Sequence, residues 1–570
     1  MRARAVTPST AGPAVAAALA FTGAASLAGL LWIPMDLYDE PALAVGGRIV
    51  RAGGLPYLDF YTHYGPLGYS LMALFLGLGN PGIAYRLAQA SALAAVAVPL
   101  YFVARRISST RAVAAALISL VLLAFSAAIV STHFFGFALA VLALELLALG
   151  ELAIEPRSRD RLWLAAGAAA GLSGLVRPAF AVYSAAAVLG FVLATSRSPG
   201  CARRLARFCL GAVAVAGLAW LLLYRAIPPA DAWFATIVLP ARLTGGAARF
   251  LSSALLPPFV GASPQKIFGS LHLAVLFLLV TLAALRSPER RARVASVAGA
   301  VIAAATPSLL ASASAPGTIA GLIAAALLAS AVLSYYFASP SLSSAALRIS
   351  ALAGLASVAF LHYAMARGDQ AHVTAALALA VAAAAAVLPA LTRRGRAAAI
   401  ALLAVAILPT LIGAPPYPAY WIGREPGGAW ASTAIGLTSR FPASRFPADA
   451  VAAARKADGD ASPSSRFVAL ATDHSRTEGS AIVLFLLSSR LPYTRWYAYD
   501  PGVQSTPFVQ RQMEDELRRS GSATAVTWKS ESFAGVPEAD PPRTELDREL
   551  RRLYPRVAER FGVLEVRENR

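Results

Sequence analysis

The stretch PAVAAALAFTGAASLAGLLWIP, residues 13–34, has no charged side chain. A helix of that length spans the roughly 30 Å apolar layer of a bilayer at about 1.5 Å per residue. Arg2 and Arg4 precede it, and the apolar block is too long for the core of a cleavable signal peptide. The segment therefore predicts a first membrane-spanning helix.

Apolar blocks of similar length recur along the chain. Only 14% of the residues are charged and 57% are hydrophobic, whereas soluble domains carry about 25% charged residues. We predict an all-α polytopic membrane protein with about 13 transmembrane helices within residues 1–413. The predicted spans are 13–34, 82–104, 112–130, 135–153, 161–176, 178–195, 205–224, 269–285, 294–311, 318–338, 346–366, 372–391 and 397–413.

The distribution of charge predicts orientation and argues against nucleic-acid binding. The net charge is +20, from 50 basic and 30 acidic residues. Residues 414–570 hold 21 basic and 19 acidic residues, which leaves 29 and 11 for residues 1–413. The basic excess lies in short clusters between apolar blocks, as in cytoplasmic loops of membrane proteins. We predict that the protein lies in the inner (cytoplasmic) membrane, with its N-terminus on the cytoplasmic side and its C-terminal domain outside.

This orientation leaves three long segments outside the cytoplasm: loop 35–81, loop 225–268 and the tail 414–570. Gly53, Gly54 and Pro56 interrupt the first loop, so we expect short helices along the membrane surface there. In the tail, strand-like runs alternate with helix-like runs at ordinary charge density, which predicts a soluble α/β domain. The strand-like runs are Arg466–Ala471, Thr524–Trp528 and Gly562–Val566.

Acidic residues concentrate in the first outer loop. Six acids are expected on the outer side, and Asp36, Asp39, Glu40 and Asp59 all lie in this loop. Acidic groups at a membrane boundary are costly without a function or partner. Asp39-Glu40 can also cap a helix that starts at Pro41. The loop tyrosines suit either an interfacial aromatic belt or stacking on a sugar ring.

The order of motifs in and around this loop is similar to that of a known group of membrane enzymes. The first span is followed by D-x-x-D-E at 36–40, a short helix, GGLPYLDF at 53–60, GPL at 65–67, a helix, and Arg86-Leu87. This order resembles the first outer loop of GT-C glycosyltransferases, especially the protein O-mannosyltransferase-like and lipid A aminoarabinose transferase-like families. The resemblance covers residues 30–110 well and residues 161–195 more loosely.

The resemblance implies transfer of a sugar from a polyprenyl-phosphate donor on the outer side of the membrane. It implies that Asp39 and Glu40 form the catalytic centre. Arg177 corresponds to a basic position, usually lysine, that contacts the donor phosphate. Arginine departs from that pattern but keeps the charge and can grip phosphate with two donors. The alternative is an arginine whose charge extends to the membrane surface.

Further candidates rest on local chemistry. Arg367, in RGDQAH at 367–372, is a second candidate for binding the donor phosphate, or part of a helix cap. Asp59, His63, Tyr57 and Tyr64 are candidates for substrate binding. The histidines lack the spacing of a metal site.

The sequence leaves alternatives for the cofactor, for the acceptor and for the function itself. The sequence identifies no definite cofactor, and a divalent cation held by Asp39 and Glu40 remains an alternative, since carboxylate oxygens suit such ions. The acceptor is a glycan, a lipid or a protein. The rival function is a transporter or flippase of lipid-linked glycans, which should show mid-helix charges or matched broken helices. The sequence shows neither, which favours the enzyme.

Overall fold

The computed structural model describes most of the chain, in segments. They are residues 39–107, 118, 121, 133–195, 200–243, 345–367, 370–387, 446–459, 462, 465–475, 482–498, 503–528 and 543–569. The predicted spans at 13–34, 112–130, 269–285, 294–311, 318–338 and 397–413 lie wholly or largely outside these residues.

Helices dominate the described part of the chain up to residue 387. They are α1 (Asp39–Arg51), α2 (Leu67–Leu76), α3 (Pro81–Ile107), α4 (Phe134–Leu152), α5 (Pro156–Val176), α6 (Pro178–Ala194), α7 (Cys201–Leu223), α8 (Pro229–Trp233), a π-helical turn (Phe234–Val238), α9 (Leu239–Leu243), α10 (Ala345–Arg367) and α11 (Gln370–Val387).

The tail contains helices and one sheet. Its helices are α12 (Phe446–Gly459), α13 (Val483–Leu487), α14 (Pro507–Arg518) and α15 (Glu545–Leu553), and its strands are β1 (Val468–Ala471), β2 (Thr524–Trp528), β3 (Arg556–Phe561) and β4 (Leu564–Glu568).

Among the described helices, α3, α4 and α7 are long and apolar enough to cross a membrane. Shorter apolar helices include α2, most of α6, and parts of α10 and α11. The helical, membrane-type fold is thus confirmed, while the number of about 13 spans remains a prediction. The predicted break between 161–176 and 178–195 is present, because α5 and α6 meet at Arg177.

The described residues belong to two compact units. The described residues of the helical unit fall within 89–220 and 345–387. In it α4 packs against α5, and α10 packs against α11 and α6. Glycines let α5 and α7 approach closely: a Cβ on Gly167 would lie 1.9 Å from the Phe208 carbonyl oxygen.

The mixed unit takes residues 31–88, 221–250 and 425–570, so the first loop groups with the tail. The tail sheet has the order β1-β2-β4-β3. Strands β1 and β2 are parallel, and β4 is antiparallel to both β2 and β3. Every residue of β1 and β2 is buried, so both faces of this parallel pair are covered, including those of β1, which is the outer strand of the sheet. The tail therefore contains a sheet packed with helices, as the sequence indicated, while a separate soluble domain at residues 414–570 remains a prediction.

Candidate active site

Helix α1 presents the acidic pair at its first turn. Asp39 is its first residue, Glu40 is its second, and Pro41 follows, where a missing N–H costs nothing. The Asp39 side chain lies outside the described residues. The predicted catalytic role of Asp39 therefore stays a prediction.

Glu40 is fixed by Arg86 of helix α3. Arg86 Nη1 donates to Glu40 Oε1 at 2.6 Å and Nη2 donates to Oε2 at 2.8 Å. The Glu40 side chain is only 5% exposed and the Arg86 side chain only 1% exposed. A planar guanidinium holding both oxygens of a carboxylate sets its orientation as well as balancing its charge. Glu40 is therefore paired with a cation and held in one orientation.

Arg86 was not among the predicted site residues. The sequence contained the signal, because Arg86-Leu87 closes the motif series of the loop. An arginine near the start of an apolar helix needs a buried acid as partner, and Glu40 supplies it. Only the fold shows that these two residues, 46 positions apart, meet.

The pairing also bears on metal binding. Each Glu40 oxygen accepts a hydrogen bond from the Arg86 guanidinium, but a carboxylate oxygen can accept more than one such bond, so the predicted role of Glu40 in binding a divalent ion stays a prediction. Within the described residues no cluster of three or more His, Cys, Asp or Glu side chains has metal-binding geometry.

Asp59 and Tyr57 build the turn of the loop. Asp59 Oδ2 accepts a hydrogen bond from the Leu55 amide at 2.7 Å, and the Asp59 amide donates to the Leu55 carbonyl. Tyr57 has a left-handed backbone, with φ of 69°, which is unusual for a large side chain. Its hydroxyl donates to the Tyr64 carbonyl at 2.7 Å, and burial raises its pKa. Tyr57 is thus a buried phenol that shapes the loop.

His63 and Tyr64 lie side by side and are half-buried. Their ring centroids are 3.9 Å apart. Tyr61 stacks on Trp496 of the tail at 4.8 Å, and the Tyr61 amide donates to the Arg495 carbonyl at 2.8 Å. Of these rings, those of His63 and Tyr64 are partly exposed and those of Tyr61 and Trp496 are buried, whereas Tyr57 and Asp59 are engaged in the turn.

Arg177 lies at the junction of α5 and α6 in the helical unit. Its amide donates to the Ser173 carbonyl at 2.8 Å. Its guanidinium carbon is 4.7 Å from the Tyr363 ring centroid and 5.4 Å from that of Phe180. These cation–π contacts hold a half-buried charge among aromatic rings. Arg367 ends α10, and its side chain lies outside the described residues.

One family model matches part of the chain. It is that of dolichyl-phosphate-mannose-protein mannosyltransferases, and the match covers residues 63–224. This segment contains Arg86 and Arg177 and follows the Asp39-Glu40 pair. None of the curated proteins matches the chain.

Solved structures with a similar arrangement of elements include two of ArnT from Cupriavidus metallidurans. The apo form has a TM-score of 0.46 at 14% identity and covers 99% of both chains. The form bound to undecaprenyl phosphate has a TM-score of 0.47 at 14% identity, over 98% of this chain and 99% of that one.

A third is an Archaeoglobus fulgidus oligosaccharyltransferase in complex with zinc and sulfate. Its TM-score is 0.46 at 13% identity, over 94% of this chain and 71% of that one. The family-model match over residues 63–224 confirms that this part of the chain resembles the protein mannosyltransferase-like families, as the motifs of the first loop indicated.

Proposed function

We propose that the protein transfers a sugar from a polyprenyl-phosphate carrier to an acceptor on the outer side of the cytoplasmic membrane. The observation that carries this proposal is the match of residues 63–224 to a family named for a sugar donor linked to a lipid phosphate. The concentration of outer acids in the first loop supports it independently. The lipid bilayer delivers the donor, so no nucleotide-binding motif is needed.

In the proposed mechanism Asp39 removes the proton from the acceptor nucleophile as the bond to the sugar forms. The bond between the sugar and the donor phosphate breaks, and the phosphate leaves with the added negative charge. Arg177 and Arg367 are proposed to bind that phosphate, where a cation stabilises the charge that develops. Glu40, oriented by Arg86, supports the position of Asp39 at the start of α1.

The structure gives the substrate-binding candidates unequal support. His63 and Tyr64 are partly exposed and adjacent, so we propose that they contact the sugar or the acceptor. Tyr57 and Asp59 are proposed to act by holding the loop, since their polar groups bond to its backbone. The acceptor is a protein, a lipid or a surface glycan.

The test uses the full chain purified into lipid nanodiscs. Radiolabelled polyprenyl-phosphate sugars are supplied one at a time with a membrane-lipid, glycan or peptide acceptor, and matching nucleotide sugars serve as the control. We expect consumption of at least one lipid-linked donor and of no nucleotide sugar. Consumption of nucleotide sugars alone would contradict the proposal. ATP-independent movement of an intact lipid-linked sugar across the bilayer, without cleavage, would favour a flippase.

A further inference from the structure

The tail domain holds helix α1, which carries the acidic pair. Both belong to the mixed unit. Three sets of contacts connect the loop to the tail, and each uses backbone groups on one side. Such contacts define position more strictly than side-chain packing, because a hydrogen bond to a backbone atom fixes where the chain runs.

The first set is centred on Arg48 in the last turn of α1. Its Nη2 donates to the carbonyl oxygens of Phe485 at 2.7 Å and Arg490 at 2.5 Å, and its Nη1 donates to that of Ser488 at 2.5 Å. These carbonyls lie at and just beyond the C-terminal end of helix α13, where they lack partners within the helix. One guanidinium thus satisfies three acceptors of the tail.

The second set is centred on Tyr497 at the first turn of α1. Its hydroxyl donates to the Ala42 carbonyl at 2.9 Å, two residues after Glu40. The side chain is buried, and its ring packs against Phe60 and Phe485. Gly46 makes this approach possible, since a Cβ there would lie 2.9 Å from the Tyr497 hydroxyl.

The third set joins the rest of the loop to the same part of the tail. The Tyr61 amide donates to the Arg495 carbonyl, and the Tyr61 ring stacks on Trp496. Residues 495–497 therefore touch the loop at Ala42 and at Tyr61.

We propose that the C-terminal domain is a positioning element of the transferase: Tyr497 and Arg48 fix helix α1 and thereby the orientation of the acidic pair at its start. This inference rests on the proposed function. Tyr497 and Arg48 are positioning residues, because they touch α1 and not the reacting atoms. A shift of about 1 Å in a catalytic group can cost on the order of 100-fold in rate, so a small loosening of α1 is enough to be measured.

The test compares Tyr497→Phe with a matched control, Tyr554→Phe. Both tyrosines are buried, at 1% and 2% exposure. The Tyr554 hydroxyl donates to the Ser522 carbonyl at 3.1 Å, entirely within the tail. Each substitution removes one hydroxyl and keeps the ring, so the two differ in whether the lost bond reaches α1. Arg48→Lys is a third variant, which keeps the charge but not the three-way geometry.

Two readouts are taken on the full chain in nanodiscs. Hydrogen exchange of the peptide covering residues 39–51 should be about fivefold faster in Tyr497→Phe, as one lost hydrogen bond predicts. It should be unchanged in Tyr554→Phe. With a consumed donor, kcat of Tyr497→Phe and Arg48→Lys should fall by about 5- to 100-fold, with the donor KM within about twofold.

Equal exchange in the wild type and Tyr497→Phe would overturn the anchoring. So would an equal loss of kcat in Tyr497→Phe and Tyr554→Phe, because the effect would then reflect tail stability alone. If the wild type consumes no lipid-linked sugar, the proposed function fails and no kcat is defined. The exchange comparison still decides whether the tail fixes α1, so the two failures are distinguishable.

Discussion

Arg86 and Glu40 form a buried, two-point ion pair, with guanidinium-to-carboxylate distances of 2.6 and 2.8 Å. The pair connects the first turn of α1 to α3 and places a charged group of each helix out of contact with water. Because both charges are buried, the free energy of unfolding should respond differently to the loss of one partner and to the loss of both.

Removing one partner of this pair should be costly. Arg86→Met leaves the Glu40 carboxylate buried without its cation, and we expect about 3–5 kcal/mol of destabilisation. The double variant Glu40→Leu, Arg86→Met should recover most of that loss, because two apolar side chains then replace two charges. Thermal unfolding in nanodiscs measures both. A double variant that is less stable than Arg86→Met would show that the pair is not the source of the effect.

The crossing of α5 and α7 should tolerate no side chain at its glycines. A Cβ on Gly211 would lie 2.0 Å from the Leu164 carbonyl oxygen, whereas one on Gly217 of the same helix would have nothing within 4 Å. Gly211→Ala must push the helices apart and should lower the unfolding temperature by several degrees. Gly217→Ala should be neutral or stabilising, since alanine favours helices by about 1 kcal/mol. Equal unfolding temperatures for the two variants would contradict the close crossing.

The same substitution at Glu145 and at Glu151, both on helix α4, should change the stability of the protein in opposite directions. Within the described part of the chain, neither Glu145 oxygen has a hydrogen-bond partner, and the side chain borders an apolar cavity of about 70 Å³. Glu151 bonds to Arg204 at 2.8 Å and lies 3.3 Å from Arg348.

Glu145→Met should therefore stabilise the protein by about 1–3 kcal/mol, because it removes an unsatisfied buried polar group. Glu151→Met should destabilise it, because two arginines lose their acid. Unfolding curves of the two variants, side by side with the wild type, provide the comparison. Loss of stability in Glu145→Met similar to that in Glu151→Met would mean that Glu145 has a stabilising role.

The tail should lose stability in acid through Asp547. Burial alone would raise the pKa of this carboxyl, but hydrogen bonds and charge from His474 and Thr544 lower it below its usual 3.8. The His474 Nδ1 lies 2.7 Å from Asp547 Oδ1, with both side chains fully buried. A group with a lowered folded pKa stabilises the fold above its unfolded pKa and loses that contribution as pH falls through the folded pKa.

We therefore expect protection of helix α15 from hydrogen exchange to be constant above about pH 5 and to fall below about pH 4. Asp547→Asn should weaken protection at neutral pH and remove much of this pH dependence. Protection that rises as the pH drops below 4 would contradict the sign of the shift.

Several features were predictable because local sequence determines them. The predicted runs Arg466–Ala471 and Thr524–Trp528 contain or coincide with strands β1 and β2, since continuous apolar runs suit buried strands. Strand β3, Arg556–Phe561, was not predicted. Its residues are mostly exposed or half-buried and three of the six are charged, so it lacks the apolar pattern of a strand.

The contacts of the site could not be predicted in the same way. Arg48 bonds to carbonyls about 440 residues away, and Arg177 faces the ring of Tyr363. Every residue has a backbone carbonyl and aromatic rings are numerous, so the sequence does not indicate which of them a distant arginine contacts. The motif order predicted which loop carries the acids, and the fold was needed to show that the tail holds this loop.

Single-turnover sugar transfer by Asp39→Asn, with the wild type and Glu40→Gln in parallel, tests most directly whether Asp39 is the catalytic base. The substitution keeps the size of the side chain and removes the base. We expect a fall in rate of about 100-fold or more for Asp39→Asn, with unchanged unfolding temperature, and a smaller fall for Glu40→Gln. A folded Asp39→Asn protein that transfers sugar at the wild-type rate would contradict the assignment of Asp39 as the catalytic base.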